Sequence, residues 1–140
     1  MDPLLLGVGA GVASLAAGIH VYIWILESIR WGTEGTQRTF GVRTREEGEV
    51  LRTMAYNQGF YNLFLAFGAG AGVSLALSGL VEAGLAIALY ACASMVLASL
   101  VLLLSRPGML RAVLAQGLAP LVAIVLLSIS FAEYISAPAS

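Results

Sequence analysis

Four long apolar stretches constrain this chain more than any other feature of its sequence. They run over about residues 3–26, 57–77, 83–104 and 109–131, and few charged side chains interrupt them. A helix rises about 1.5 Å per residue, so each stretch can cross a hydrocarbon layer about 30 Å thick. The sequence therefore predicts an all-α fold, an integral membrane four-helix bundle, with residues 1–140 forming a single transmembrane domain.

The composition favours lipid rather than water as the surrounding solvent. Hydrophobic residues make up 59% of the 140 residues, charged residues only 11%, and the mean hydropathy is +0.91. A soluble domain of this size could not bury so much apolar surface. The net charge of −1 argues against a nucleic-acid partner, which leaves the bilayer as the expected one. The single cysteine, Cys92, excludes a disulfide within the chain.

The first stretch is interpreted as a retained helix rather than a cleaved signal peptide. No basic residue precedes it, and its apolar run continues beyond the small residues at Gly18 to Leu26. Gly7 and Gly11, and likewise Ala10, Ser14 and Gly18, recur at four-residue steps on two faces of this helix. Such rows predict close packing of neighbouring helices, with a homo-oligomer formed through these faces as the alternative.

Polar side chains in the second half of the first stretch mark a candidate site. His20, Trp24 and Glu27 are spaced i, i+4 and i+7 and therefore share one helix face. Ionisable residues inside a membrane usually face the bundle interior or a watery cavity, which makes His20 and Glu27 candidate catalytic residues. The alternatives are an interfacial carboxylate and a neutral imidazole bonded to a neighbouring carbonyl. About 10 Å of helix axis separates the two residues, so each should find its partner on another helix.

Residues 28–56 form the only polar segment and predict an interfacial connection between the first two spans. Trp31 and the glycines around it suggest a loop in the headgroup layer, where Trp anchors well. Thr44 and Glu47 then match a capping box that begins a helix. That helix is expected to continue without a break into the second span.

The segment Asn57–Asn62 places three carboxamides and a phenol at the start of the second span. Each such group costs free energy in hydrocarbon unless it finds a hydrogen-bond partner. In the fourth span, Pro120 removes the backbone donor that would otherwise bond the carbonyl of Gln116. Counted along the helices, His20, Asn62 and Gln116 all lie about 8–10 Å below the headgroups on the arginine-bearing side.

These positions predict one polar pocket shared by the first, second and fourth spans. The predicted ligand-binding residues are His20, Trp24, Glu27, Asn57, Gln58, Tyr61, Asn62 and Gln116, with further apolar contacts from Phe60 and Phe64. No metal site is predicted, because the single histidine, the single cysteine and the scattered carboxylates lack ligand spacing. The sequence identifies no cofactor.

The arginines predict the orientation of the chain. All seven basic residues are arginines; five fall between residues 28 and 56, and Arg106 and Arg111 flank the third connection. With four spans these two connections lie on the same side of the membrane. The positive-inside rule then places both termini outside the cytoplasm.

The polar segments together resemble a known family. The matching patterns are His20-x-Tyr22-Ile23-x-x-x-Glu27, Phe40-Gly41, Asn57-Gln58-Gly59-x-Tyr61-Asn62-x-Phe64-Leu65-Ala66 and Gln116-Gly117-x-x-Pro120. They are similar to a bacterial family of small four-span membrane proteins that is catalogued as a domain of unknown function (thirteen-oh-four). The chain departs from that pattern at Leu63, where the family is expected to have Gly, and in the run before Arg106. The resemblance implies the fold and the bacterial inner membrane, but no established reaction, although some members carry the label "epimerase".

Three functions stay open at this point. The first is binding of a small lipophilic molecule, such as a quinone, an isoprenoid or a lipid fragment, in a mostly apolar pocket with a few polar groups. The second is a membrane-embedded isomerase in which His20 or Glu27 transfers a proton and Tyr61 or a carboxamide stabilises an oxyanion. The third is a structural subunit whose polar groups only specify helix packing. Finally, residues 136–140 are expected to form a loose tail.

Overall fold

The computed structural model describes residues 1–136 and builds them from helices and short turns. The helices are α1 (Pro3–Trp24), α2 (Glu34–Thr39), α3 (Arg45–Leu77), α4 (Val81–Ser105) and α5 (Leu110–Ser136). A π-helical turn extends α1, and a 3-10 turn precedes α5. Of the expected loose tail, Ser136 still belongs to α5, and residues 137–140 lie outside the described part of the chain.

The prediction of four spans is confirmed. The helical segments Pro3–Ile29, Arg45–Leu77, Val81–Ser105 and Pro107–Ser136 are each long and apolar enough to cross a membrane. Each of these helical segments extends beyond its apolar stretch, because residues that flank the stretch are also helical. The longest extension precedes the second span, where α3 begins twelve residues before Asn57.

The ends of the helices follow from local chemistry. The side chain of Asp2 caps α1 by accepting a hydrogen bond from the Leu4 amide at 2.8 Å. The hydroxyl of Thr44 caps α3 by accepting from the Glu47 amide at 3.2 Å, as predicted. The carboxylate of Glu47, however, accepts from the amide of Arg43 at 3.0 Å instead of closing the capping box on Thr44. The expected unbroken helix through Asn57 is confirmed.

The four long helices form an antiparallel ring in which each packs against two neighbours. α3 contacts α1 and α4, α5 contacts α4 and α1, and α1 and α4 face each other across the diagonal with few contacts. Small residues line the centre, so the backbones approach closely. The closest approach joins Gly72 of α3 to Gly84 of α4, where a Cβ on either glycine would collide with the backbone of the other helix.

The predicted packing role of the small-residue rows on α1 is wrong for most of their members. Gly7, Gly11 and Gly18 lie on the exposed face of α1, and a Cβ added at any of them would meet nothing within 4 Å. Packing against α5 instead uses Gly9, where a Cβ would come within 2.9 Å of the Leu127 side chain. Glycines spaced four apart identify a face that permits close packing, but they do not show that a neighbour occupies it.

The connection between α1 and α3 is more ordered than the predicted loop. It contains α2 and a small apolar core in which Trp31, Val42 and Ala55 are buried. The indole of Trp31 donates a hydrogen bond to the carbonyl of Gly48 at 2.9 Å. The expected role of Trp31 as a headgroup anchor is therefore wrong, because only 7% of its surface is exposed.

Charged residues divide between the two ends of the bundle. The antiparallel topology brings the α1–α3 and α4–α5 connections together, and all seven arginines lie in these connections or in the adjoining ends of α3 and α5. We call this the arginine-rich end. The opposite end carries Asp2, Glu82 and Glu133, and there the amide of Asp2 donates to the carboxylate of Glu133 at 2.8 Å.

Candidate functional site

The first span ends in a π-helical turn, Ile25–Ile29, with Glu27 at its centre. The amide of Arg30 donates to the carbonyl of Ile25 at 2.9 Å, a bond that spans five residues rather than four. The extra residue in the turn changes the direction of the side chains that follow. Such turns occur often at functional sites.

The π-helical turn directs two polar side chains onto α3. The carboxylate of Glu27 accepts a hydrogen bond from the Asn62 amide nitrogen at 2.9 Å. One residue later, the hydroxyl of Ser28 donates to the carbonyl of Tyr56 at 3.0 Å. Glu27 thus finds its partner on another helix, as the axial spacing of the first span predicts.

Gly59 allows this close approach between the π-helical turn and α3. A Cβ at residue 59 would lie 3.1 Å from the Cβ of Glu27 and would collide with the hydroxyl of Ser28. The close contact with the π-helical turn therefore explains why a glycine lies in the middle of the polar Asn57–Asn62 segment. A Cβ at this position would push the π-helical turn away from α3 and strain the hydrogen bond between Glu27 and Asn62.

A cavity of about 470 Å³ lies beside this contact, between the four spans at the arginine-rich end. We call it the intramembrane cavity. Five of the predicted ligand-binding residues line it: Glu27, Gln58, Tyr61, Asn62 and Gln116. Most of the remaining wall is apolar, with Ile23 from α1, Leu65 from α3 and Leu102 from α4. The structure therefore brings polar groups from the first, second and fourth spans into one cavity.

The hydrogen bonds of the cavity leave several polar atoms available to a ligand. Asn62 donates one amide proton to Glu27 and the other to the carbonyl of Gln58, at 2.9 and 3.1 Å. Its side-chain oxygen stays open to a donor. Within residues 1–136 the carboxamides of Gln58 and Gln116 make no hydrogen bond. A ligand with a carbonyl or hydroxyl group could satisfy these groups, which are costly to leave unpaired in an apolar environment.

His20 lies outside the cavity. Its ring is 1% exposed, and Nδ1 is 2.9 Å from the carbonyl of Ala16 in the same helix. The expectation that His20 finds its partner on another helix is wrong, because Ala16 belongs to α1 itself. The arrangement matches the alternative of an imidazole bonded to a neighbouring carbonyl.

Trp24 and Phe60 meet beside the cavity rather than in its wall. Their ring centroids are 6.1 Å apart in an edge-to-face arrangement, and Phe60 also contacts Tyr56 and Phe64. The Nε1 atom of Trp24 is buried and has no hydrogen-bond partner in the described part of the chain. Asn57, which was also predicted to bind the ligand, is exposed and does not line the cavity.

Sequence reasoning missed the part of the cavity wall that comes from the end of α2 and from the α4–α5 connection. Thr39 and Phe40, at the end of α2, and Arg106, in the α4–α5 connection, complete its lining. Phe40 precedes Gly41, which has a φ of +76° and turns the chain away after α2. The Phe40-Gly41 pattern is consistent with this turn, but no sequence pattern indicates that Phe40 lines the cavity.

The comparison with known proteins gives a family and no function. A family model described as a protein of unknown function (DUF1304) matches residues 14–128. The matched range includes every residue that lines the cavity. No curated protein and no solved structure is significantly similar to the chain.

Proposed function

The chain belongs to the DUF1304 family of proteins of unknown function, and from its cavity we propose that it binds a small lipophilic molecule with a polar head. The observation that carries the proposal is the arrangement of the lining. Carboxamides, phenols and a carboxylate face a cavity whose remaining wall is mostly apolar. A cavity of about 470 Å³ is within the usual range for small-molecule sites, which are mostly apolar with a few placed polar groups.

The exposure of the lining residues supports entry from the bilayer. Tyr22 and Tyr61 both line the cavity, yet 58% and 62% of their surfaces are exposed. Both belong to membrane-spanning helices, so their exposed surface faces lipid. A quinone, an isoprenoid or a lipid fragment could therefore enter sideways, with its polar head toward Gln58 and Gln116 and its tail toward the bilayer.

The distribution of charge supports an orientation. All seven arginines lie at one end, and the opposite end carries acidic residues, so the positive-inside rule places the arginine-rich end in the cytoplasm. The proposed cavity then opens near the cytoplasmic leaflet, and both termini lie outside the cytoplasm. The proposed location is a bacterial inner membrane.

The binding proposal is tested by mass spectrometry of lipophiles that copurify with the detergent-extracted protein. We expect Asn62→Leu and Gln116→Leu to lose the bound lipophile while the protein stays folded. The control is Ser74→Leu, which exchanges an exposed polar residue of α3 outside the cavity and should retain the lipophile. If the cavity variants lower only the melting temperature and retain all copurified lipophiles, the polar groups serve helix packing and the proposal is wrong.

The hydrogen bond between Glu27 and Asn62 favours a second candidate, a proton-transfer enzyme. Since His20 lies outside the cavity, Glu27 is the group there that could act as a general acid or base. The test is deuterium incorporation into the copurified lipophile in heavy water. An enzyme should incorporate deuterium in the wild type and lose this exchange in Glu27→Gln, which keeps the shape of the side chain and the bound lipophile. Equal labelling in both proteins would exclude Glu27 as the proton-transfer group.

A further inference from the structure

A second cavity, of about 610 Å³, lies in the connection between α1 and α3 at the arginine-rich end. We call it the connection cavity. It is separate from the intramembrane cavity, and the two share no lining residue. Its charged lining consists of Arg38, Arg43, Arg45, Arg52, Glu34 and Glu49. Four positive and two negative groups leave this lining with an excess of two positive charges.

The two carboxylates of the connection cavity do not neutralise all of its arginines. Arg38 pairs with Glu34 at 3.3 Å and Arg52 pairs with Glu49 at 3.4 Å, both within exposed turns of helix. Exposed pairs of this kind contribute little free energy and exchange readily for another partner. The guanidinium groups of Arg43 and Arg45 have no ion-pair partner in residues 1–136, so they are available to an anion.

The wall of the connection cavity also contains a carboxamide that can donate a hydrogen bond to a ligand beside the arginines. Gln37 is only 9% exposed, lines this cavity and makes no side-chain hydrogen bond within the described residues. Its side chain packs tightly over Gly48, where an added Cβ would collide with it. Neither polar atom of this carboxamide is fully enclosed, so both stay accessible in the cavity wall, where an oxyanion could accept a hydrogen bond from Nε2.

The connection cavity lies far enough from the hydrocarbon layer to be in contact with the aqueous phase. A hydrocarbon layer about 30 Å thick corresponds to about 20 residues of α3, which places its inner edge near Asn57 when counted back from Leu77. Arg45 lies about 18 Å beyond that edge along the helix axis. The headgroup layer extends only about 5–8 Å on each side, so water and soluble molecules reach this part of the chain.

We propose that the connection cavity binds a phosphate-bearing anion from the aqueous phase on the arginine-rich side. Guanidinium groups suit this chemistry, because their planar fork of donors matches the oxygens of a phosphate group. Several arginines can share one phosphate through its separate oxygens, while the carboxamide of Gln37 donates to another. A phosphate could also belong to a lipid headgroup, but the distance of Arg45 from the hydrocarbon edge favours a soluble source. This proposal does not depend on the intramembrane cavity or on any ligand there.

Inorganic pyrophosphate is a suitable probe, titrated calorimetrically into the full-length protein in phosphatidylcholine nanodiscs. The test variant R43Q/R45Q removes the two unpaired arginines of the connection cavity. The matched control, R30Q/R111Q, removes two arginines from the same end that do not line this cavity. Both variants lose the same charge, so they differ in the position of the arginines alone.

We expect R43Q/R45Q to weaken pyrophosphate binding about tenfold or more, because it removes charge-assisted guanidinium contacts. R30Q/R111Q should stay within about twofold of the wild type, because salt screens exposed charges outside the site. Gln37→Leu should also weaken binding, while its thermal unfolding stays close to that of the wild type. Equal weakening in both arginine variants would indicate a general positive field and would overturn the proposed site.

Nanodiscs that contain phosphatidylglycerol distinguish the two sources of phosphate. A soluble ligand predicts that pyrophosphate binds equally well with and without this anionic lipid. If phosphatidylglycerol displaces pyrophosphate from the wild type, the cavity holds a lipid headgroup and the aqueous assignment is wrong. Absence of pyrophosphate binding in neutral nanodiscs would also overturn the proposal.

Discussion

At the scale of single residues, Gly59 and Asn62 hold the π-helical turn in place. Gly59 supplies space and Asn62 supplies a donor, and together they keep the carboxylate of Glu27 against α3. A carboxylate near hydrocarbon needs such a donor, because an unpaired charge or polar group is costly there. The two residues are three apart, so they lie on the same face of the helix.

Gly59→Ala is predicted to destabilise the protein and to weaken the proposed ligand binding. The added Cβ would collide with Ser28 and press on Glu27, and overpacking of this kind typically costs about 1–3 kcal/mol. Gly70→Ala in the same helix is the control, since a Cβ at Gly70 would meet no neighbouring segment within 4 Å. Thermal unfolding in detergent measures both variants. An unchanged melting temperature for Gly59→Ala would show that the turn can move away at little cost.

Trp31 provides a second test at the residue scale. Its indole donates to the carbonyl of Gly48 from a buried position, so Trp31→Phe keeps an aromatic ring and loses the hydrogen bond. The expected loss is about 0.5–1.5 kcal/mol, confined to the connection between α1 and α3. Limited trypsin digestion reports this region, because cleavage after Arg38 and Arg43 requires the connection to open. Faster cleavage there, with an unchanged global melting temperature, is the predicted result.

At the scale of elements, the contact between α3 and α4 depends on two glycines rather than on large side chains. Gly72 and Gly84 let the backbones meet, and alanines such as Ala76 and Ala88 fill the space around them. Lipid tails are as apolar as a leucine side chain, so close backbone packing supplies much of the attraction between spans. This contact lies away from the arginine-rich end and stabilises the bundle rather than either cavity.

Gly84→Ala is predicted to lower the stability of the protein without altering the arrangement of the residues that line the intramembrane cavity. The new Cβ would meet the backbone of Ala76, which cannot rotate away as a side chain can. The melting temperature should fall by more than for Gly11→Ala, where the added methyl group points to open space. A similar melting temperature in both variants would mean that α3 and α4 separate without penalty.

At the scale of the whole molecule, the antiparallel ring separates the arginines from the acidic end. Each span reverses the direction of the chain, so residues far apart in sequence, such as Arg38 and Arg106, lie at the same end. The same reversal collects Glu27, Asn62 and Gln116 in one cavity. Sidedness and the location of both cavities therefore depend on one topology.

Cysteine labelling tests the proposed orientation of the whole chain. The native Cys92 is buried and should not react, so single cysteines can be added at the exposed positions Gly35 and Glu82. In intact spheroplasts, a membrane-impermeant maleimide should label Glu82→Cys and should label Gly35→Cys only after permeabilisation. The reverse pattern would invert the proposed orientation and would place both cavities at the outer face.

The sequence by itself determined the four spans, their order and the arginine-rich end. Apolar length and charge are local properties, and a bilayer converts them directly into spans with a direction. The axial positions of Asn62 and Gln116 could also be predicted from the sequence, because the rise per residue is constant along a helix. The family resemblance is also confirmed by the match over residues 14–128.

Only the tertiary structure decided which side chains share a cavity. His20 and Glu27 looked equivalent on one helix face, but the π-helical turn redirects Glu27 to Asn62 and leaves His20 bonded to its own helix. Likewise, Gly7 and Gly9 differ in sequence only by position, yet one faces outward and the other contacts α5. The rotation of a helix about its axis, and the position of Thr39 and Phe40 in the cavity wall, result from packing between distant segments. A local pattern does not contain that information.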